Sequence, residues 1–190
     1  MPRDYAAFAL NEVRRADREV KDELWIRALL ETAPLGFLAT SHQHQPFINS
    51  NIFAYDAAQH AIYMHTANVG RTQANVALND RVCFTVASMG RLLPADQALE
   101  FSVEYASVVV FGRMTPIEDP TKAEYGLQKI LDKYAPHLRP GKDYRPITSG
   151  ELQRTGVLRI DIEAWSGKKK EVEADFPGAY LYGMSGTESA

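Results

Sequence analysis

Apolar positions along the chain change their period several times, and each period predicts an element. Val20, Leu24 and Ala28 recur four residues apart, as do Trp25 and Leu29, so a helix runs from Val20 until Pro34 and Gly36 end it. Apolar stretches of strand length follow at residues 36–40, 47–55, 61–66, 81–87 and 106–113. The polar segment 41–46 reads as a hairpin-like turn between the first two, and 55–60 as the turn between the next two. Strict alternation comes late: Leu158, Ile160 and Ile162 point one way, and Arg159, Asp161 and Glu163 the other. That is a strand with one buried face.

Two helical patterns interrupt the strands. Residues 69–79 form a short, mixed one that begins at Gly70. The second is clearer: Asp119 is placed to cap it, Pro120 occupies its first position, and Pro136 stops it. Its apolar face is Ala123, Leu127, Ile130, Leu131 and Tyr134. Five to seven strands with few helices, and no regular βαβ alternation, predict an α+β protein on an antiparallel sheet or barrel. Residues 1–18 are polar and weakly patterned, an N-terminal arm. Residues 135–150 read as an ordered surface loop. There is no internal repeat or low-complexity tract, so a single domain over 1–190 is expected, with 169–190 as a C-terminal tail.

Composition narrows the class without naming a chemistry. A chain of 190 residues with 45% hydrophobic side chains can bury a core without disulfide or metal staples. The formal net charge of −3 gives no electrostatic reason to seek nucleic acid or an anionic membrane. One cysteine, Cys83, suits a reducing compartment and reads as a small core or near-core residue rather than a nucleophile. No signal peptide or run of membrane-spanning length is visible, so a soluble, cytoplasmic protein is expected.

Most motif-like features have plain explanations. His42 and His44 form an H-x-H pair in turn-like sequence, with no third ligand nearby, so they read as solvated loop histidines and no metal is expected. The basic run 168–170 passes at once into Glu171, Glu173 and Asp175, a solvated segment rather than a nucleic-acid patch. Fingerprints of α/β-hydrolases, P-loop NTPases and dinucleotide-binding Rossmann units are absent. More informative is 63–75, YMHTANVGRTQAN, where a strand carrying Tyr63 and His65 on one face passes Gly70-Arg71-Thr72 into a helix. Glycine, a guanidinium and a hydroxyl beside free N–H groups suit a phosphate, although an ordinary strand-to-helix connection with a surface arginine contains the same residues. Asn49 and Asn51 share a strand face, where asparagine is depleted; they suit either a heteroaromatic ligand or an exposed edge strand. The segment Trp165-Ser166-Gly167-Lys168 reads as the exit of the alternating strand, able to cover a ligand or simply to leave the sheet.

Taken in order, these segments resemble the FMN-binding split-barrel superfamily that includes pyridoxamine 5′-phosphate oxidase, and within it the nitroimidazole-resistance (Nim-type) branch. The resemblance spans about residues 35–168. It is carried by Phe53-Ala54-Tyr55-Asp56, the stretch Ile62 to Ala67, Gly70-Arg71-Thr72, the stretch Asn79 to Phe84, the stretch Tyr105 to Gly112, and Trp165 to Lys168. It implies a six-stranded antiparallel split β-barrel with flanking helices, paired as a homodimer with flavin at the subunit interface. It implies FMN lying along Asn49, Ser50, Asn51 and Ile52, with His65 and Thr66 beside the ring. Gly70, Arg71 and Thr72 would hold the phosphate, joined by Asn75. Ser107, Trp165 and Lys168 would complete the cleft, with the second subunit as one source.

The sequence also departs from the oxidases proper. Asn49 stands at a strand position where they carry arginine, and Gly70-Arg71 replaces their Arg-Lys pair. After Lys168 there is no arginine or histidine to grasp a B6 phosphate. Oxidase activity on vitamin B6 is therefore not expected. The resemblance implies instead an FMN-dependent oxidoreductase passing electrons from a reduced nicotinamide to a small organic acceptor. His65 is the candidate proton donor, or else a cofactor-packing residue. Two alternatives stand beside this: a non-catalytic flavin- or haem-binding barrel for storage or sensing, and a structural barrel without cofactor.

Overall fold

The computed structural model describes residues 4–184. In chain order the elements are β1 (Glu19–Val20), α1 (Glu23–Thr32), β2 (Gly36–His42), β3 (Gln45–Asn51), β4 (Phe53–Asp56), β5 (Ala61–Ala67), α2 (Arg71–Leu78), β6 (Arg81–Leu93), β7 (Ser102–Pro116), α3 (Pro120–Tyr134), α4 (Ser149–Leu152), β8 (Thr155–Lys170) and β9 (Tyr180–Leu181). The helix predicted from Val20 starts at Glu23, because the Asp22 carboxylate accepts from the N–H groups of Leu24 and Trp25 and caps it there. Val20 belongs to β1 instead. For α3 the predicted cap is the one found: Asp119 accepts from the Lys122 N–H at 2.9 Å, with Pro120 next. No helix among the described residues is long and apolar enough to cross a membrane.

The nine strands form one antiparallel sheet in the order β3-β2-β6-β7-β8-β5-β4, with β1 on β8 and β9 on β6. The count exceeds the expected six for definite reasons. The stretch predicted as one strand over 47–55 is two, β3 and β4, separated at Ile52, because β3 pairs with β2 and β4 with β5. The remaining two, β1 and β9, have two residues each. The break would orphan the Phe53 N–H. It donates to the Tyr134 hydroxyl at 3.2 Å, which itself donates to the Pro34 carbonyl at 2.9 Å, so α3 stitches the bend. Beside it, Gly36 allows the Phe84 ring to press on the backbone; an added Cβ would lie 2.1 Å from that ring. Phe84 in turn meets Phe53 edge-on, 4.8 Å between centroids.

Inward residues Leu38, Ile62, Met64, Val108, Leu158 and Ile160 make a core closed at one end by Ile26 and Leu30 of α1. Leu158 and Ile160 are fully buried and Ile162 packs against them, as the late alternation predicts. The exit expected at Trp165–Lys168 is strand interior: Val110 pairs with Trp165 and Ser107 with Lys168. Its disguise is a β-bulge. The register shifts between Phe111 and Gly112, leaving Glu163 unopposed, so the inward face moves from Ile162 to Trp165 and the alternation breaks without the strand ending. Of the expected arm, 4–18 holds two short 3-10 turns, and 1–3 lie outside the described residues. The tail likewise contains β9, and its residues 185–190 lie outside them.

Candidate functional site

Since β3 and β4 are the two ends of the sheet and consecutive in the chain, the sheet curls on itself and leaves a split. Strand β4 accompanies β5 only from Ala61 to Met64, and beyond that point His65–Ala67 pair with β8 alone. The Asn51 amide crosses the gap and donates to the His65 carbonyl at 2.8 Å. Past that bridge lies a cavity of about 240 Å³ walled by Phe47 and Asn49, by Thr66 and by Gly70–Gln73 at the start of α2. Gly70 has φ +147°, a conformation that side-chain-bearing residues rarely adopt, and it lets the chain turn from the strand into α2.

The chemistry of this cavity follows from what lacks a partner. The first backbone bond of α2 runs from the Ala74 N–H to the Gly70 carbonyl, so the N–H groups of Arg71, Thr72 and Gln73 have no acceptor in the helix. No side chain caps them. Arg71 is exposed, and no hydrogen bond or ion pair engages its guanidinium among the described residues. Thr72 is buried at the cavity wall. The Gln73 amide donates to the Thr66 hydroxyl at 3.2 Å, which donates to the Ala67 carbonyl. A cation, a hydroxyl and free amides converging at the positive end of a helix can hold a dianionic phosphate.

The structure thus brings Asn49, Thr66, Gly70, Arg71 and Thr72 to one cavity. Other predicted residues have different surroundings. Asn75 is buried and its amide donates to the Thr40 hydroxyl at 2.9 Å, tying α2 to β2; it lines a neighbouring cavity. Asn51 serves the bridge just described, and Ile52 is the exposed bend. The strand pleat puts His65 with Tyr63 on the α3 side of β5, opposite Thr66. Ser50 pairs with Phe37, and Ser107 with Lys168 and Ala87, all on the outer face of the sheet. Trp165 lies at the far end of β5, roughly 20 Å of strand from Gly70. There its ring meets His60 edge-on at 4.6 Å, Arg27 stacks over it, and Asn11 donates to its carbonyl.

Several side chains at the split were not predicted as site residues. Phe47 and Gln73 line the first cavity. His42 and Gln45 line the second, about 280 Å³, with Pro46, Phe47, Arg71 and Asn75. Their signal was present but indirect: a two-residue turn at Gln43-His44 fixes the hairpin register, which places Gln45, Phe47, Asn49 and Asn51 on one face. A larger cavity, about 680 Å³, lies elsewhere, beside the N-terminus of α3. Four of its lining side chains are engaged with one another. Arg159 pairs with Asp161 at 2.7 Å and bonds the Tyr63 hydroxyl, which donates to Gln59. Burial, offset in part by Arg159, pushes the Tyr63 hydroxyl above its ordinary pKa.

Residues 22–169 match the family model of pyridoxamine 5′-phosphate oxidase. No curated protein matches the sequence. Among solved structures, the flavocytochrome Anf3 from Azotobacter vinelandii superposes with a TM-score of 0.74 at 22% identity, covering 95% of this chain and 88% of that one. The FAD and haem binding protein from Mycobacterium smegmatis gives 0.71 at 23% identity, over 82% and 74% of the two chains. A candidate 5-nitroimidazole antibiotic resistance protein from Bacteroides thetaiotaomicron gives 0.66 at 19% identity, over 80% and 86%. At these identities the likeness is one of fold.

Proposed function

The chain belongs to the pyridoxamine 5′-phosphate oxidase family, and on that premise we propose that it is a flavoprotein that holds the FMN moiety at the split beside α2. The observation that carries this reading is the unpartnered Arg71 guanidinium, aimed with Thr72 and three free N–H groups at one cavity. The residues fit the group. An anion there gains charge-assisted bonds that nothing among the described residues already occupies, and Gly70 leaves the approach free of a side chain. Asn49 and Thr66 supply polar contacts further along the split. When bound, the flavin supplies the redox chemistry, and the protein binds it, orients it and limits its access to water. In this reading electrons pass from a reduced nicotinamide to a small organic acceptor.

The same proposal includes a homodimer. Two rows of side chains cross the outer face of the sheet. Ile48, Ala39, Cys83 and Phe111 form one row; Phe37, Thr85 and Val109 form the next. Phe37 and Ile48 are exposed, and the rest of both rows is half-buried. A largely apolar sheet face of this kind suits a second copy of the chain. Ser50, Ser107 and Lys168 sit on that face, so a cleft completed between subunits accounts for their distance from Arg71.

A non-catalytic barrel that stores or senses a flavin or haem is the second reading, supported by the flavocytochrome and the FAD and haem binding protein among the fold relatives. One preparation tests all of this. The purified protein should be yellow, release a flavin on denaturation, and oxidise a reduced nicotinamide in the presence of an acceptor. Flavin affinity without turnover favours the binding barrel, and a Soret band identifies haem. A colourless protein that takes up no added flavin sinks the proposal.

A further inference from the structure

We infer that the flavin is the dinucleotide, FAD, and that its adenylate half occupies the cavity between the β2–β3 hairpin and α2. This rests on the flavin reading above and goes beyond it by assigning a second subsite. The two cavities share Phe47 and Arg71 as walls. A phosphate at Arg71 therefore stands at the junction, and a second phosphate linked to it meets the same guanidinium from the hairpin side. Arg71 lines both spaces, and among the described residues no carboxylate lines either one.

The second cavity has the chemistry of a base site. The His42 imidazole and the Phe47 ring are flat surfaces for stacking, and Pro46 adds an apolar wall. Gln45 donates one amide hydrogen to the Pro46 carbonyl at 2.9 Å, leaving its side-chain oxygen to accept from an exocyclic amine. The backbone sets this arrangement. Gln43 and His44 both have positive φ, 48° and 63°, the two-residue hairpin geometry that pairs His42 with Gln45 and puts their side chains on the α2 side. Gln45, Phe47 and Asn49, alternate residues of β3, line the two adjoining cavities in a row, so a dinucleotide can run along the strand from one into the other.

The test measures which flavin the protein takes and what His42 does to that choice. Flavin released from the purified protein is identified by mass, and FMN and FAD are each titrated calorimetrically into the stripped protein. FAD should be released and should bind about tenfold more tightly than FMN. His42→Ala should weaken FAD about tenfold and leave FMN unchanged, and Gln45→Ala should act in the same direction. Arg71→Ala should weaken both flavins. Release of FMN alone, equal affinities, or an equal effect of His42→Ala on both flavins overturns the adenylate subsite while the flavin reading stands. Failure to bind either flavin overturns both.

Discussion

Two arginines, Arg91 in a strand of the sheet and Arg71 at the start of α2, carry their charge in opposite ways. Arg91, on β6, has its guanidinium wholly occupied. It meets Glu104 through two nitrogens, at 2.7 and 2.8 Å, and donates to the carbonyls of Val172, Glu173 and Ala174. Glu104 also accepts from the Val172 N–H, so the pair clamps the C-terminal tail where β9 joins β6. Arg71, at the split, has no hydrogen-bond or ion-pair partner among the described residues and faces a cavity. Desolvating the Arg91 pair is offset by geometry and hydrogen bonds. At Arg71 the corresponding bonds remain to be made, which is what a ligand requires.

The contrast predicts opposite responses to the same mutation. Arg91→Ala leaves Glu104, 9% exposed, without its counter-charge, and should lower Tm by roughly 5 °C or more. The Arg91 guanidinium, with the Val172 N–H, holds the Glu104 pKa at about 2, below the ordinary 4.5. A carboxylate with a lowered folded-state pKa stabilises fully above the unfolded value and loses that contribution as the pH falls. Acid unfolding between pH 4.5 and 2 should therefore include a contribution that Glu104→Gln removes. A flat difference between wild type and Glu104→Gln across that window would break the comparison on its structural side.

Arg71→Ala should do the reverse. Tm of the flavin-free protein should move by less than about 1 °C, as for an exposed residue without partners, while flavin affinity falls about tenfold or more. Differential scanning fluorimetry and calorimetric titration read the two quantities separately. A large fall in Tm with unchanged affinity would mean that Arg71 supports the helix start rather than a ligand.

Local chemistry was legible in the sequence where it is self-contained. Asp119-Pro120 announces α3, 41–46 announces a hairpin, and Gly70-Arg71-Thr72 announces the turn into α2, because each is decided by residues within one turn of each other. What escaped depends on register across strands distant in sequence. The Arg91–Glu104 clamp exists because the β6–β7 ladder, with its own irregularity between Met89 and Leu92, brings position 91 opposite 104. Trp165–Lys168 looked like an exit because a single bulged residue, Glu163, reverses the alternation. His65 and Thr66 are neighbours in sequence, yet the pleat sends them to opposite faces of β5. His42 passed as a solvated histidine because only the hairpin and α2 together show that it shares a wall with Arg71.

A third cation lies between the two cases and sharpens them. Lys133 of α3 reaches under α1, where its amine sits 3.6 Å from the centroid of the Phe53 ring and donates one bond, 3.3 Å, to the Leu30 carbonyl. Burial pulls its pKa down to about 8, against the opposing influence of Glu31. Here a ring and a single carbonyl replace the five acceptors of Arg91, and they do not restore the hydration the charge has lost. The sign follows from proton counting. Between pH 8 and the ordinary 10.5 the unfolded chain holds a proton at this site that the folded chain has released, so stability rises with pH across that window. The gain should be the smallest of these effects, because the side chain keeps part of its solvent. Lys133→Met should stabilise the protein below pH 8 and abolish the rise, as followed by urea unfolding at successive pH values. If wild type and variant instead run parallel from pH 8 to 10.5, the ring and carbonyl already hold the charge as well as water does, and partial satisfaction suffices for a buried cation in this fold.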